Sequence, residues 1–295
     1  MPSKKSLEFI PGKVVQCTEH LRRVLAPNPS MMTGPGTNTY LIGNGDIAIL
    51  DPGPKNKEHL KALLKATEGE TVRWIFCTHT HNDHSPGTVP LVEALQNERD
   101  PQIPIEIIGL PAALHNGSPL SSHDRSFEPT HPANHGDIFD LNGLTIEAVC
   151  TPGHASNHVC FYLHEEKILL TGDHIMDGST VVIAPPDGDM KAYIESLELL
   201  NTYDIKHLAP AHGNLIDTPK EIVAATIAHR LKREDKVIVA VKTLPDSTIK
   251  ELVTTVYDDT PTFLHPVAEF SLLAHILKLK AEGKAGETNE RWRWL

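Results

Sequence analysis

The run Cys77-Thr78-His79-Thr80-His81-Asn82-Asp83-His84-Ser85 places three imidazoles and one carboxylate within six residues. These are the borderline and hard donors that suit zinc and its neighbours, and three His with one Asp is the mixture a two-metal site needs. A buried-strand pattern, Trp74-Ile75-Phe76, precedes the run and a helical pattern follows it, so the donors sit on a strand-to-helix loop. Three later positions repeat one theme: Pro152-Gly153-His154, Thr171-Gly172-Asp173 and Ala211-His212-Gly213 each set one donor beside glycine after a β-like segment. A single histidine beside glycine is ordinarily a surface or satisfied core residue. The ordered combination with the first run carries the argument. Asp51, in Leu50-Asp51-Pro52-Gly53, reads either as a plain turn or as a carboxylate that takes a ring N–H from a ligand histidine.

The elements that must hold these donors are short. Strand patterns cover Val14 to Cys17, Asn38 to Ile42, Ile47 to Leu50, Val72 to Thr78, Ile105 to Ile108, Leu144 to Cys150, Val159 to Leu163 and Ile168 to Leu170, broken by Gly, Pro and Asn turns. Helical patterns cover Lys57 to Ala66, Thr88 to Glu98 and Met190 to Leu200. Strands with interposed helices predict sheets covered by helices, an α/β plan. After His212-Gly213 the texture changes to longer helices, Thr218 to Lys232, Ser247 to Val256 and His265 to Glu282, then a hairpin within Gly283 to Leu295. The expected organisation is therefore a catalytic domain at 1–216 and a three-helix unit with a β wing at 217–295.

The 295 residues carry a net charge of -11, with 40% hydrophobic and 22% charged residues, which argues against global disorder. Residues 217–295 hold 12 acidic and 12 basic side chains, and residues 1–216 hold 26 and 15. The whole excess lies in the first part, which disfavours a broad phosphate-binding surface there and favours local recognition centred on a metal. Cys17, Cys77, Cys150 and Cys160 are scattered in apolar segments and read as reduced core thiols. No apolar run approaches the ~20 residues that cross a bilayer, and Met1 to Ile10 has no apolar signal core, so the expectation is a cytoplasmic chain with no membrane partner.

Asp51, the His79-Thr-His81-Asn-Asp83-His84 run, His154, Asp173 and His212 together resemble the five ordered motifs of the metallo-β-lactamase-fold superfamily. The resemblance implies a four-layer αββα sandwich with two divalent ions, zinc by donor type, at one edge between the sheets. It implies that His79, His81 and His154 bind the first ion, that Asp83, His84 and His212 bind the second, and that Asp173 bridges them. His158, four residues after His154, resembles a histidine that does not ligate in many members and reads as a supporting or structural group. His174 is expected to point away from the metals if Asp173 points toward them. His20, His59, His115, His123, His131, His135, His164, His207, His229, His265 and His275 show no ligand spacing. Asn28-Pro29, Gly36 to Gly43, Leu264-His265-Pro266 and Leu273 to Gly283 narrow the resemblance to the lactamase-beta-like protein 2 family, in which a winged-helix-like domain follows the metal domain.

Two divalent ions lower the pKa of a shared water from 15.7 toward roughly 7, so the expected nucleophile is a metal-bridging hydroxide, with Asp83 orienting it or relaying its proton. Several zinc β-lactamases carry cysteine at the bridging position where this chain has Asp173, which argues against a dedicated lactamase. Two reactions stay open: hydrolysis of a small acyl substrate (ester, thioester, lactone or lactam), and endonucleolytic cleavage of single-stranded RNA. The second draws on the family resemblance, on a patch of Arg230, Lys232, Arg233, Lys236, Lys278, Lys280, Arg291 and Arg293, and on Trp292 and Trp294 as base-stacking platforms. Those tryptophans read more simply as core or homodimer-interface residues. A third reading is a non-enzymatic nucleic-acid-binding module with a structural metal, but structural zinc is normally saturated by four protein ligands.

Overall fold

In the computed structural model, which describes residues 8–98, 103–113 and 122–295, two sheets lie between helices. His115 and residues 1–7, and with them most of the expected start, lie outside the described residues. The first sheet runs in chain order through β1 (Val14–Gln16), β2 (Leu21–Leu25), β3 (Asn38–Asn44), β4 (Asp46–Leu50), β5 (Thr71–Phe76), β6 (Glu106–Gly109) and β7 (His131–Pro132). Pairing is antiparallel from β1 to β4 and parallel from β4 to β7. The second sheet contains β8 (Ile138–Asp140), β9 (Thr145–Cys150), β10 (Val159–Leu163), β11 (Ile168–Gly172) and β12 (His207–Pro210), in the order β12-β11-β10-β9-β8. Its pairs are antiparallel except β11 with β12.

Alternation along the strands builds four layers. Tyr40, Ile42, Ala48 and Leu50 face the second sheet and meet Ile146, Ala148, Phe161 and Leu170. Phe76 sits between Phe139 and Phe161 with ring centroids 5.3 and 4.9 Å away. The intervening Leu41, Ile47 and Ile49 face outward onto Leu63 of α1 (Lys57–Ala66) and Leu91 and Leu95 of α2 (Thr88–Glu98). On the far side Val149, Tyr162, Leu169 and Leu208 pack on Met190, Tyr193 and Leu197 of α3 (Met190–Leu199). Burying such a side chain contributes about 1.5–3 kcal/mol each. The expected αββα plan is therefore the observed one.

Strand β2 escaped the pattern reading because its two arginines look solvated. Arg23 is fully buried, its guanidinium donating to the Glu8 and Gly213 carbonyls at 2.9 and 3.4 Å, and Arg22 pairs with Glu70 at 2.9 Å. The next helix, α4 (Pro219–Thr243), runs well past the expected end at Lys232. The charged run Arg233 to Lys236 suggests a break, yet Arg233 and Lys236 pair with Asp258 and Asp259, and buried Glu234 meets His275 and Lys278.

With α5 (Ile249–Val256), α6 (His265–Ala281) and the hairpin β13 (Ala285–Thr288) and β14 (Arg291–Trp294), α4 forms the second unit. A capping box of Thr248 and Glu251 starts α5. Asn289 and Glu290 both take positive φ in the two-residue hairpin loop. Val223 of α4 packs in the α3 layer, while Val237, Ala240 and Val241 share the second unit's core with Trp292, so α4 belongs to both cores. No helix among the described residues is long and apolar enough to cross a membrane.

Candidate metal centre

Every predicted donor leaves the carboxyl end of a strand. Strands β4 and β5 run one way and deliver Asp51 and the His79 loop. Strands β9, β11 and β12 share a direction and deliver His154, Asp173 and His212. The two sets meet at one edge of the sandwich, in the crevice beyond the strand ends. Close approach there demands glycine at two places. A Cβ on Gly172, at φ +50°, would lie 2.7 Å from His158 Nε2 and from Thr78, and one on Gly153 would lie 2.4 Å from the Tyr193 Cα.

The predicted side chains converge as two groups. His79 Nε2 lies 2.9 Å from His81 Nδ1, and His154 Nε2 lies 3.1 Å from the same atom. His212 Nε2 lies 3.3 Å from Asp83 Oδ2, and His84 Nε2 lies 3.5 Å from that oxygen. Asp173 stands between the groups, with carboxylate oxygens 3.6 Å from His84, 3.6 Å from His154 and 3.3 Å from His212. His79, His81 and His154 form one cluster with spacing suited to a cation, and Asp83, His84 and His212 form another.

Partners outside the cage set the ring orientations. Asp51 is buried at φ +50°; its carboxylate accepts the Thr78 N–H and O–H, both at 2.8 Å, and lies 3.0 Å from His84 Nδ1. That contact is the one expected of a carboxylate behind a cage histidine. His158 Nε2 accepts the Asp173 backbone N–H at 3.2 Å and its Nδ1 lies 2.9 Å from the Thr151 hydroxyl, so His158 fastens the Asp173 turn without facing the cage. His174 packs on Tyr193, ring centroids 5.1 Å apart, and joins neither cluster. His59, set aside on spacing, is buried on α1 and lies 2.8 Å from the Thr39 hydroxyl, which in turn donates to the Asp51 carbonyl. Burial pushes its imidazole down to about 4, so the ring is neutral at pH 7.

The two groups differ in charge. Burial, aided by His84 and His81, holds the His79 pKa well below the usual imidazole value, and burial with His154 pushes His81 down to about 3. Burial acts the same way on His84 and His212 but is outweighed by carboxylates: Asp83, Asp173 and Asp51 raise His84 well above its usual value, and Asp173 and Asp83 raise His212 to about 10. Against their own burial, Asp83 and Asp173 are held well below the carboxylate range by His84 and His212. His79 and His81 thus offer neutral nitrogens, whereas the second group is an ion-pair network whose protons a cation would displace.

A divalent ion fits both. His79 Nδ1 lies 3.0 Å from the Thr78 hydroxyl, which donates to Asp51 and so accepts here, and His154 Nδ1 lies 2.8 Å from the Val182 carbonyl. Their inner Nε2 atoms therefore present lone pairs to each other and to His81. In the second group His84 Nε2 is buried without a hydrogen-bond partner.

A family model described as the metallo-beta-lactamase superfamily matches residues 32–212, more than half of the chain. The chain belongs to that superfamily. A second model, the beta-lactamase associated winged helix domain, matches residues 248–294. The chain is similar to the beta-lactamase-like protein 2 homolog of Drosophila melanogaster, 31% identical over 94% of this chain and 93% of that one. It is also 31% identical to the atrochrysone carboxyl ACP thioesterase of Emericella nidulans, over 76% of this chain and 66% of that one. A metallo-beta-lactamase family protein from Thermus thermophilus shares the fold, with a TM-score of 0.75 at 20% identity, covering 95% and 100% of the two chains. The superfamily's members are generally hydrolases that bind divalent metal ions, and the His/Asp clusters here are the candidate metal site. The resemblance in the motifs, down to the lactamase-beta-like protein 2 family and the winged helix, is borne out.

The cleft over the site has a partly apolar lining. Met32, Met176, Val181, Val182 and Ala184 wall the cleft over His81, Asp83, His154, Asp173 and His212, with Asn82 and Ser122 as further polar groups. Among the described lining residues there is no lysine or arginine. Of the eight cations expected to form a basic patch on the tail, six are engaged within the chain. Arg230 is buried and donates to the Val181 carbonyl. Arg233, Lys236, Lys278, Lys280 and Arg291 contact carboxylates. Trp292 is core, at 4% exposure, and Lys242 lies over the Trp294 ring.

Proposed function

We propose that the protein is a dinuclear zinc hydrolase of small acyl substrates with an ester, thioester, lactone or lactam bond. The observation that carries this reading is the partly apolar cleft over the His/Asp cage, with no lysine or arginine among its described lining residues. Such a wall accepts the hydrocarbon part of an acyl group, whereas a polynucleotide calls for basic side chains along its backbone. His79, His81 and His154 would hold one ion, Asp83, His84 and His212 the other, and Asp173 would touch both. Bound there, the ions supply Lewis acidity toward the substrate oxygen and acidify water for attack. A set of imidazoles and carboxylates without thiolate favours zinc. Asp83, whose side chain is 28% exposed, borders the cleft and can orient the attacking water and hold its proton. Asn82 donates to Ser122 at the rim, where the pair can hydrogen-bond a leaving group. The thioesterase named among the relatives adds support for an acyl substrate.

Zinc-loaded protein should turn over an acyl thioester or lactone, and Asp83→Ala should lower that rate roughly 100-fold or more. The assay compares an acyl-glutathione thioester, a lactone, a chromogenic lactam, a phosphodiester and single-stranded RNA in one preparation. RNA cleavage that Asp83→Ala abolishes, without acyl turnover, would overturn the acyl reading in favour of the endoribonuclease alternative.

A further inference from the structure

A neutral imidazole that offers one nitrogen to a cation carries its proton on the other, and an acceptor for that proton fixes the ring. Four of the five cage histidines meet this requirement. The outer nitrogens of His79, His84, His154 and His212 lie 3.0 Å from the Thr78 hydroxyl, 3.0 Å from Asp51, 2.8 Å from the Val182 carbonyl and 3.1 Å from the Gly36 carbonyl. His81 is the exception. It turns Nδ1 into the cage, and its Nε2 is buried with no hydrogen-bond partner.

One carboxylate, that of Asp187, stands near that nitrogen, beyond direct ion-pair distance in this structure. A ring nitrogen of His81, one of His123 and an Asp187 carboxylate oxygen lie within 4.8 Å of one another. Nδ1 of His81 is taken up by the cage, so Nε2 is the atom left for this trio. Asp187 is held from behind, its Oδ1 accepting the Ser156 hydroxyl at 2.5 Å and its Oδ2 the Ser156 N–H at 3.2 Å. His123 Nε2 lies 3.2 Å from Asp187 Oδ2, both side chains being 2% exposed. The other nitrogen of His123 lies 3.0 Å from the Thr80 hydroxyl, which also accepts the Asn157 amide at 2.8 Å. His123 thus stands beside Asp187, whose carboxylate keeps lone-pair capacity for His81.

We propose, resting on the two-metal reading above, that Asp187, held by Ser156 beside His123, is the positioning residue that accepts the His81 Nε2–H and fixes His81 for the first ion. The support is local to that ion. Residues 182–187 hold His154 through Val182 and His81 through Asp187, whereas Gly36 and Asp51 hold His212 and His84.

The test titrates zinc into the metal-free full chain against a competing chromophoric chelator, for wild type, Asp187→Asn, Asp187→Ala and Asp187→Glu. Wild type should show two sites. Asp187→Ala should weaken one of them about 10–100-fold and leave the other unchanged, with part of the loss restored in Asp187→Glu. A generally loosened fold would weaken both together, which would overturn the proposal, as would two unchanged affinities. A third zinc in wild type that disappears in Asp187→Ala would instead make the trio a metal site and overturn the positioning role. If the alanine variant does not fold, 15N-labelled zinc-loaded wild type decides. A slowly exchanging His81 Nε2–H resonance supports the bond, and its absence overturns it. Wild type that binds no zinc sinks the two-metal reading and this inference together, whereas two sites indifferent to Asp187 sink this inference alone.

Discussion

Replacing Asp173 with alanine is expected to strip most of the bound metal and to lower hydrolysis roughly a thousandfold or more, with the fold retained. Asp173 is the carboxylate that stands between the two groups, within 3.6 Å of His84, His154 and His212. Without it the buried His84 and His212 keep Asp83 as their shared anion in the cage, and neither ion position is complete. The fold survives because the Asp173 turn is fastened through its backbone, by His158 on the N–H, and because the glycine before it is untouched. Elemental analysis of the purified variant, circular dichroism and the acyl assay check this together. Unchanged metal content in a folded Asp173→Ala protein would contradict the placement of the ions.

Asp51→Ala is expected to be the most costly single change to stability, about 3–5 kcal/mol, because it breaks a buried pair and orphans its donors. The carboxylate accepts two bonds from Thr78 and faces His84 Nδ1, with side-chain exposures of 2% for Asp51 and 0% for His84. Removing it leaves an amide, a hydroxyl and an imidazole N–H without acceptors at the root of the donor loop. Its backbone sits at φ +50°, which asparagine and aspartate tolerate better than alanine. Asp51→Asn should therefore lose less than Asp51→Ala in urea unfolding. Equal losses would mean that the carboxylate contributes little beyond its backbone conformation.

The cage was legible in the sequence because each of its seven side chains sits at a strand end beside a turn, where local pattern and chemistry coincide. The same holds for Asp51 and for the layers of the sandwich, whose strands alternate cleanly from Tyr40 to Leu50. What spacing could not reveal depends on contacts remote in the chain. Strand β2 hides two arginines whose partners lie at Glu8, Glu70 and Gly213. Helix α4 continues through Arg233 to Lys236 because α6 and the turn after α5 supply the counter-charges. His59, His123 and Asp187 reach the site only through tertiary packing, and Pro185-Pro186-Asp187-Gly188 reads locally as a turn. The engagement of the tail's cations stayed hidden for the complementary reason. Six of the eight cations are bound to carboxylates or a carbonyl of the same chain, which the charge count of the tail cannot show.

Anomalous diffraction at the zinc edge from zinc-loaded crystals is the decisive measurement for a two-ion cage built from His79, His81, Asp83, His84, His154, Asp173 and His212. Two peaks are predicted, one among His79, His81 and His154 and the other among Asp83, His84 and His212, with Asp173 in contact with both. A single peak, or peaks held by other residues, would contradict it.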